Sequence, residues 1–297
     1  MQTLELVFPQ WQGGDITRFF PELSAQEAAQ GYYLGAQILK LLTESINPNL
    51  AKNSALVPIS LEWTLDSNGQ RIVQEGIIDG AILQKQTKSA LQILRDKNPD
   101  RILTLGGECA TSIAPFSYLA DKYKGDCVAL IWLDAHPDLG LPHDDFYKGY
   151  HAMAVSALNG RLQEQLKLPA IIKSHRILLT GLHSHEAEVM KERQKAFGIK
   201  SLNSAESSAQ NVLAFLAQSG AKKLLIHFDL DVLNPAELYA GVGNSGKMSI
   251  AQIMEIIETL NAEYDIIGLT IAEHLPKLEL QLKCLLEKLP LIKNDQN

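Results

Sequence analysis

Apolar and polar positions run along this chain in two rhythms. Short, nearly continuous apolar runs recur at Thr3–Phe8, Ala55–Trp63, Arg101–Leu105, Cys127–Leu133, Arg176–Leu182, Lys223–Phe228 and Asp265–Ala272. Each is rich in Leu, Ile or Val and is bounded by Gly, Pro, Asp or Asn, as buried strands are. A weaker run at Gly198–Leu202 is a further candidate. Between them apolar residues recur at helical spacing, over Ser24–Thr43, Gln70–Lys97, Ala205–Gln218, Ser249–Asn261 and Leu278–Leu289. Apolar strands separated by helices predict a sheet whose two faces are both covered. The expected class is α/β, a three-layer α/β/α sandwich with a mostly parallel sheet of about eight strands. The polar stretch Asn47–Asn53 is short enough to be a loop, so residues 1–297 are expected to form a single domain.

Composition narrows the function. Apolar residues make up 46% and charged residues 21%, which is ordinary for a globular protein. The net charge of −7 leaves no basic surplus for phosphates, so no nucleic-acid partner is expected. Three sparse cysteines, 109, 127 and 284, contain no CxxC pair and fit a reducing compartment. The N-terminal residues do not resemble a signal peptide, and no apolar run is long enough to span a membrane. A cytoplasmic protein with no membrane partner is the expectation.

Three chemically loaded motifs fall where apolar strands end, the place where open parallel sheets bind their ligands. Gly106-Gly107-Glu108-Cys109-Ala110 follows Leu103–Leu105. Asp134-Ala135-His136-Pro137-Asp138 follows Ala129–Leu133, and Asp229-Leu230-Asp231 follows Leu224–Phe228. Side chains two apart on a strand point the same way, so Asp134 and His136 can face one point, as can Asp229 and Asp231. Asp138 can join them as the chain leaves the sheet. Four converging carboxylates resist ionisation unless cations sit among them. Imidazole mixed with carboxylate oxygens suits manganese, or alternatively zinc or iron.

These motifs resemble those of the ureohydrolase family, which holds arginase, agmatinase and formimidoylglutamase. The resemblance rests on GGECA at 106–110, DAHPD at 134–138, DLDVLNP at 229–235 and IAEHLP at 271–276, and it spans roughly residues 100–276. It implies an arginase-like fold and two divalent metal ions, most often Mn2+. It implies that Asp134, His136, Asp138, Asp229 and Asp231 are metal ligands, with Asp134 and Asp229 bridging. Cys109 stands where the family places a histidine ligand. His151 resembles a proton-shuttling histidine, Glu273 matches the carboxylate that grips the substrate's cationic group, and Asp138 would pass a proton to the leaving amine. Glu186 falls where arginases bind an α-amino group. The activity implied is hydrolysis of a C–N bond in a small cationic guanidino, amidino or formimino compound through a metal-bridging hydroxide. Family members commonly form homo-oligomers, trimers or hexamers.

The departures define the alternatives. Cys109 either ligates as a thiolate, which favours Zn2+ or Fe2+, or stays a small core hydrophobe and leaves one metal short of a ligand. The second case describes a catalytically silent protein that binds a metal or small cation. An amide hydrolase of the deacetylase-like kind on the same fold is a third reading. Glu108 and Ala110 replace the usual Asp and Ser, and Asn234 the final Asp. Leu139–Tyr150 lacks the Thr, Ser and Asn that would hold an arginine head group. His227 is read as a hydrogen-bonded core residue or a partner behind the ligands. His143, His183, His185 and His274 are candidates for substrate contact, and His175 for the surface. Trp11, Gly13 and Gly14 are expected in a turn at the pocket rim, with Cys127 and Cys284 in the core.

Overall fold

The computed structural model describes residues 1–14, 23, 25–61, 65–68, 70–183, 187–240 and 246–292. In chain order its elements begin with β1 (Thr3–Phe8), α1 (Ala25–Ile46), β2 (Ser54–Leu56) and the short pair β3 (Val73–Gln74) and β4 (Ile77–Ile78). They continue with α2 (Gly80–Lys97), β5 (Arg101–Gly106), α3 (Ile113–Lys122), β6 (Val128–Leu133), α4 (Ala154–Leu158) and β7 (Ile177–Leu182). The last are α5 (Glu188–Phe197), β8 (Lys200–Asn203), α6 (Ala209–Ser219), β9 (Lys223–Asp229), α7 (Ile250–Glu263), β10 (Asp265–Ala272) and α8 (Lys277–Leu286).

Eight strands form one sheet in the order β2-β1-β5-β10-β9-β6-β7-β8. Every neighbouring pair in it is parallel. The period-two alternation of the strands sorts their side chains into two cores. Leu130, Trp132, Leu179 and Leu225 pack with α2, α3 and α4 on one face. Ala129, Ile131, Leu133, Leu224 and Ile226 pack with α6 and α7 on the other. Each buried Leu or Ile among them contributes roughly 1.5–3 kcal/mol by leaving water. This is the expected three-layer sandwich. No helix among the described residues is long and apolar enough to cross a membrane.

Topology explains where a site can form. After β5 the chain re-enters the sheet three positions away at β6, and β9 and β10 later fill the gap. A crevice opens at such a reversal, at the carboxyl ends of the strands. Registers keep those ends level: Ala272 lies beside Asp229, and Leu133 beside Phe228.

Several expected elements differ. The run Ala55–Trp63 yields only Ser54–Leu56 as strand, and residues 62–64 lie outside the described residues. Pro58 offers no N–H to the neighbouring strand, and β2 is an edge. The expected helix Gln70–Lys97 begins only at Gly80. Glu75 and Gly76 both have positive φ, 51° and 80°, and turn the preceding residues into the β3–β4 hairpin. The segments α3 and α5 were not expected as helices. One is buried along most of its length and so lacks a polar stripe, and the other has no buried residue. Cys127 and Cys284 are half-buried and not core: Arg176 Nη2 donates to the first, and the second approaches Glu27.

Candidate metal centre

Two local turns of one kind build the centre. Asp134 Oδ1 accepts the N–H of His136 at 2.7 Å, and Asp229 Oδ1 accepts the N–H of Asp231 at 2.7 Å. Aspartate bonds its own backbone two residues on in this way, bending the chain as the strand ends. Neither pair is held by an extended strand, as the two-residue spacing had implied. Asp134 lies just past β6, and Asp231 lies in a 3-10 turn over Leu230–Val232.

The third motif arrives from β5. Glu108 caps a 3-10 turn at Cys109–Ser112 by accepting from the N–H of Ala110 at 2.7 Å, and Gln10 Nε2 donates to it at 2.5 Å. A Cβ at Gly107 would strike the carbonyl oxygen of Gln10, so glycine is needed to bring this turn against the end of β1. Burial pushes Glu108 up to about 7, although its hydrogen bonds oppose the shift. Glu108 is thus a buried anchor for the turn that carries Cys109.

Donor atoms gather in three overlapping groups, each within 4.8 Å across: Cys109, Asp134, His227 and Asp229; Asp134, His136 and Asp231; and Cys109, His151 and Glu273. The first group is fully buried. In the second, His136 Nδ1 is 3.1 Å from Asp231 Oδ2, and the ring is 37% exposed. Asp134 belongs to both and joins them, whereas Asp229 belongs only to the first. Asp138 belongs to none of the three, yet it is 5% exposed and feels the charges of Asp134, His136, Glu273 and Asp231.

Glu273 sits at the junction with the third group. It receives the N–H of Cys109 at 3.2 Å, and the hydroxyl of Tyr32 donates to its other oxygen. His151 Nδ1 lies 3.9 Å from Glu273, and its Nε2 is 2.7 Å from the hydroxyl of Tyr147. His151 is half-buried, so its ring reaches both the carboxylates and the solvent side. Glu273 and Asp138 both have positive φ, 64° and 47°. Such strain, about 1–3 kcal/mol each, gathers at functional sites.

Electrostatics point to missing positive charge. Burial and the neighbouring carboxylates Asp231, Asp134 and Glu273 push Asp229 well above the usual carboxylate range. Burial, Asp134 and Glu273 do the same to Asp138. Glu273 is pushed up to about 8, mainly by burial, against the hydrogen bond from Tyr32. Buried oxygens of Asp138 and Asp231, and Nε2 of His227, have no hydrogen-bond partner. Buried polar atoms are seldom left this way. Divalent cations suit this donor set: they would engage these atoms and let the carboxylates ionise together.

The structure thus brings Cys109, Asp134, His136, Asp138, His151, Asp229, Asp231 and Glu273 to one place. Glu186 and His185 lie outside the described residues. His183 stands 5.2 Å from His136 ring to ring, while His143 and His175 are exposed. Trp11 is buried, donating to the carbonyl of Ser60, and is not at a rim. Tyr32, Tyr147 and Ser112 were not singled out in the sequence. The only local signal for Tyr32 was its place between Gly31 and Gly35 on a helix. A Cβ at Gly35 would strike the carbonyl oxygen of His274, so this glycine lets α1 lie against the chain beyond β10.

A parallel α/β sheet carrying a carboxylate-rich, imidazole-bearing centre at its mouth defines a class that the comparisons make specific. The arginase family model matches residues 45–283. An arginase from Glycine max is 29% identical over 204 residues, which cover 66% of this chain. That alignment spans about half, 53%, of the plant protein. An arginase of Entamoeba histolytica, solved with L-ornithine, superposes with a TM-score of 0.73 at 16% identity, covering 96% of this chain and 98% of that one. An arginase from Bacillus caldovelox gives 0.73 at 18%, covering 94% and 92%. At these identities the likeness to the solved structures shows the fold. The chain belongs to the arginase family.

Proposed function

We propose that this protein is a metal-dependent hydrolase that cleaves a C–N bond in a small cationic guanidino, amidino or formimino compound. One observation carries the reading: two donor groups share Asp134, and Glu273 and His151 stand beside them. Family membership supports the reaction class. Cys109, Asp134 and Asp229 would hold one divalent cation, and Asp134, His136 and Asp231 the other; the family resemblance adds Asp138 to the first and Asp229 to the second. Bound there, two such ions would lower the pKa of water and supply a nucleophile near neutral pH. Manganese is the metal the family resemblance favours, with zinc or iron favoured by the thiol.

The chain's own residues do the rest. Glu273, once ionised, accepts N–H groups of a planar cation in parallel. Tyr32 and the N–H of Cys109 hold its two oxygens in place, so little freedom is lost when substrate arrives. Water adds to the trigonal carbon, the C–N bond breaks, and the departing amine needs a proton. Asp138, buried among the carboxylates, is suited to deliver it. His151, tied to Tyr147 and partly open to solvent, returns that proton to the site.

The test is metal analysis of purified protein, joined to a urea and ammonia release screen across guanidino and amidino compounds on manganese- and zinc-loaded protein. Metal uptake with urea or ammonia release is expected. Metal uptake with no turnover would replace the hydrolase with a binding protein. Release of acetate or another acid from amides would move it to the deacetylase-like class.

A further inference from the structure

One imidazole in the centre has no part in the mechanism above. His227 lies on β9, fully buried, with its ring stacked on the indole of Trp132 at 3.5 Å between centroids. Ser112 Oγ stands 2.8 Å from its Nδ1. Its Nε2 has no hydrogen-bond partner. A buried nitrogen left so is destabilising, and a smaller apolar side chain there would avoid that cost. The ring nevertheless offers a donor atom within 4.8 Å of Cys109, Asp134 and Asp229.

The surroundings orient this ring as metal-binding histidines are oriented. A second partner on the other nitrogen fixes the tautomer and aims the free lone pair. Ser112 Oγ pairs with Nδ1, and with the ring proton on Nδ1 the Nε2 lone pair would face the ion. The same short turn, Cys109–Ser112, carries both the thiol and the hydroxyl that aims the imidazole. Trp132 holds the ring's face, and its own Nε1–H donates to Asp134 at 2.9 Å. Cys109 has a short side chain where the family places a histidine, and His227 brings an imidazole to the same group from another strand.

We propose that His227 is a metal ligand, its Nε2 joining the Cys109 thiolate and the carboxylates of Asp134 and Asp229 in a four-donor site that selects zinc or ferrous iron over manganese. The proposal rests on the metal-hydrolase reading and gives it a different inner ion. The thiol releases its proton to solvent as the ion binds. One sulfur and one imidazole among two carboxylates make a softer site than oxygen and imidazole alone.

The test uses full-length protein, stripped and reloaded with zinc, with zinc content by mass spectrometry and ligand identity by zinc-edge X-ray absorption. The wild type is expected to take two zinc ions per chain, with a sulfur neighbour at about 2.3 Å and nitrogen at about 2.0–2.1 Å. His227→Leu is expected to lose one ion, or to hold it at least ~10–100-fold more weakly. Cys109→Ser is expected to lose the sulfur neighbour. A His227→Leu protein that keeps both ions at unchanged affinity overturns the proposal and leaves the hydrolase reading standing. Wild-type protein that takes up no divalent metal sinks both. Should His227→Leu fail to fold, cadmium-113 loaded into nitrogen-15-labelled wild type decides: cadmium–nitrogen coupling at His227 Nε2 supports ligation, and bound cadmium without it refutes ligation.

Discussion

The two ends of three central strands treat charge in opposite ways. At their amino ends β5, β9 and β10 start with Arg101, Lys223 and Asp265. Arg101 Nη2 donates to Asp265 at 2.6 Å and Lys223 Nζ at 2.5 Å, so one carboxylate meets two cations. Burial raises Asp265, but the two cations prevail and hold it below the usual range. At their carboxyl ends the same strands deliver Cys109, Asp229 and Glu273. Among the described residues no lysine or arginine ion-pairs with Asp229 or Glu273. One end closes its charge within the chain, and the other leaves it for a cation to close. The open end is the site, and it costs stability, as functional positions commonly do.

Asp229→Asn strikes the open end hardest. Asparagine keeps the oxygen that accepts the N–H of Asp231 while removing a carboxylate that burial and its neighbours disfavour. Turnover should fall by more than the ~10–100-fold that follows loss of a partner behind the ligands. The metal-free variant should melt higher than metal-free wild type, by a few degrees for each kcal/mol relieved. Calorimetry with and without chelator reads both effects. A metal-free variant that melts lower would show that the open end is not electrostatically strained.

Next in size is the response to pH. In folded protein Glu273 titrates at about 8, against an ordinary 4.5. Below 4.5 both folded and unfolded chains hold the proton. Between 4.5 and 8 the unfolded chain releases it while the folded chain keeps it, so stability falls as pH rises through that window. The loss from this group is on the order of 5 kcal/mol at most. Asp138 and Asp229 are shifted in the same direction. Urea denaturation in chelator should therefore show declining stability from pH 5 to 8. Saturating metal should reverse the slope, because ligands bind ions only when deprotonated. Glu273→Gln should flatten the chelator curve.

Much of this was legible in the sequence, and the rest was not for identifiable reasons. The long central strands announce themselves because burial on both faces demands unbroken apolar runs. Strand β2 and the start of α2 depend instead on one proline and on the Glu75–Gly76 turn, which periodicity does not weigh. In the site, DAHPD and DLD were visible as pairs, although hydrogen-bonded turns and not strand alternation unite them. His227 was visible as a residue two before Asp229, but its free nitrogen and its nearness to Cys109 depend on packing between strands two places apart in the sheet. Tyr32 reaches Glu273 across 241 positions of sequence, a contact that no local pattern encodes.

That contact supplies a smaller test. Tyr32→Phe removes the hydroxyl donor and keeps the ring, costing about 1 kcal/mol of positioning. Substrate binding should weaken by roughly fivefold, with the chemical step less affected, if Tyr32 orients Glu273 toward the cation. An unchanged KM with reduced stability alone would make Tyr32 a packing residue.

The smallest effect belongs to the closed end. Asp265→Asn breaks two ion pairs at a place where Arg101 is 43% exposed and Asp265 24%. Partly exposed pairs each contribute about 0.2–1 kcal/mol, so the variant should melt only a few degrees lower. Added salt should shrink the difference, since screening already weakens the wild-type pairs. Metal content and turnover should stay unchanged, because Asp265 and Ala272 lie at opposite ends of β10 and the cations paired at one end do not enter the centre at the other. Were Asp265→Asn to alter metal affinity, the two ends would be coupled through the strands, and stability and function would not be divided between them.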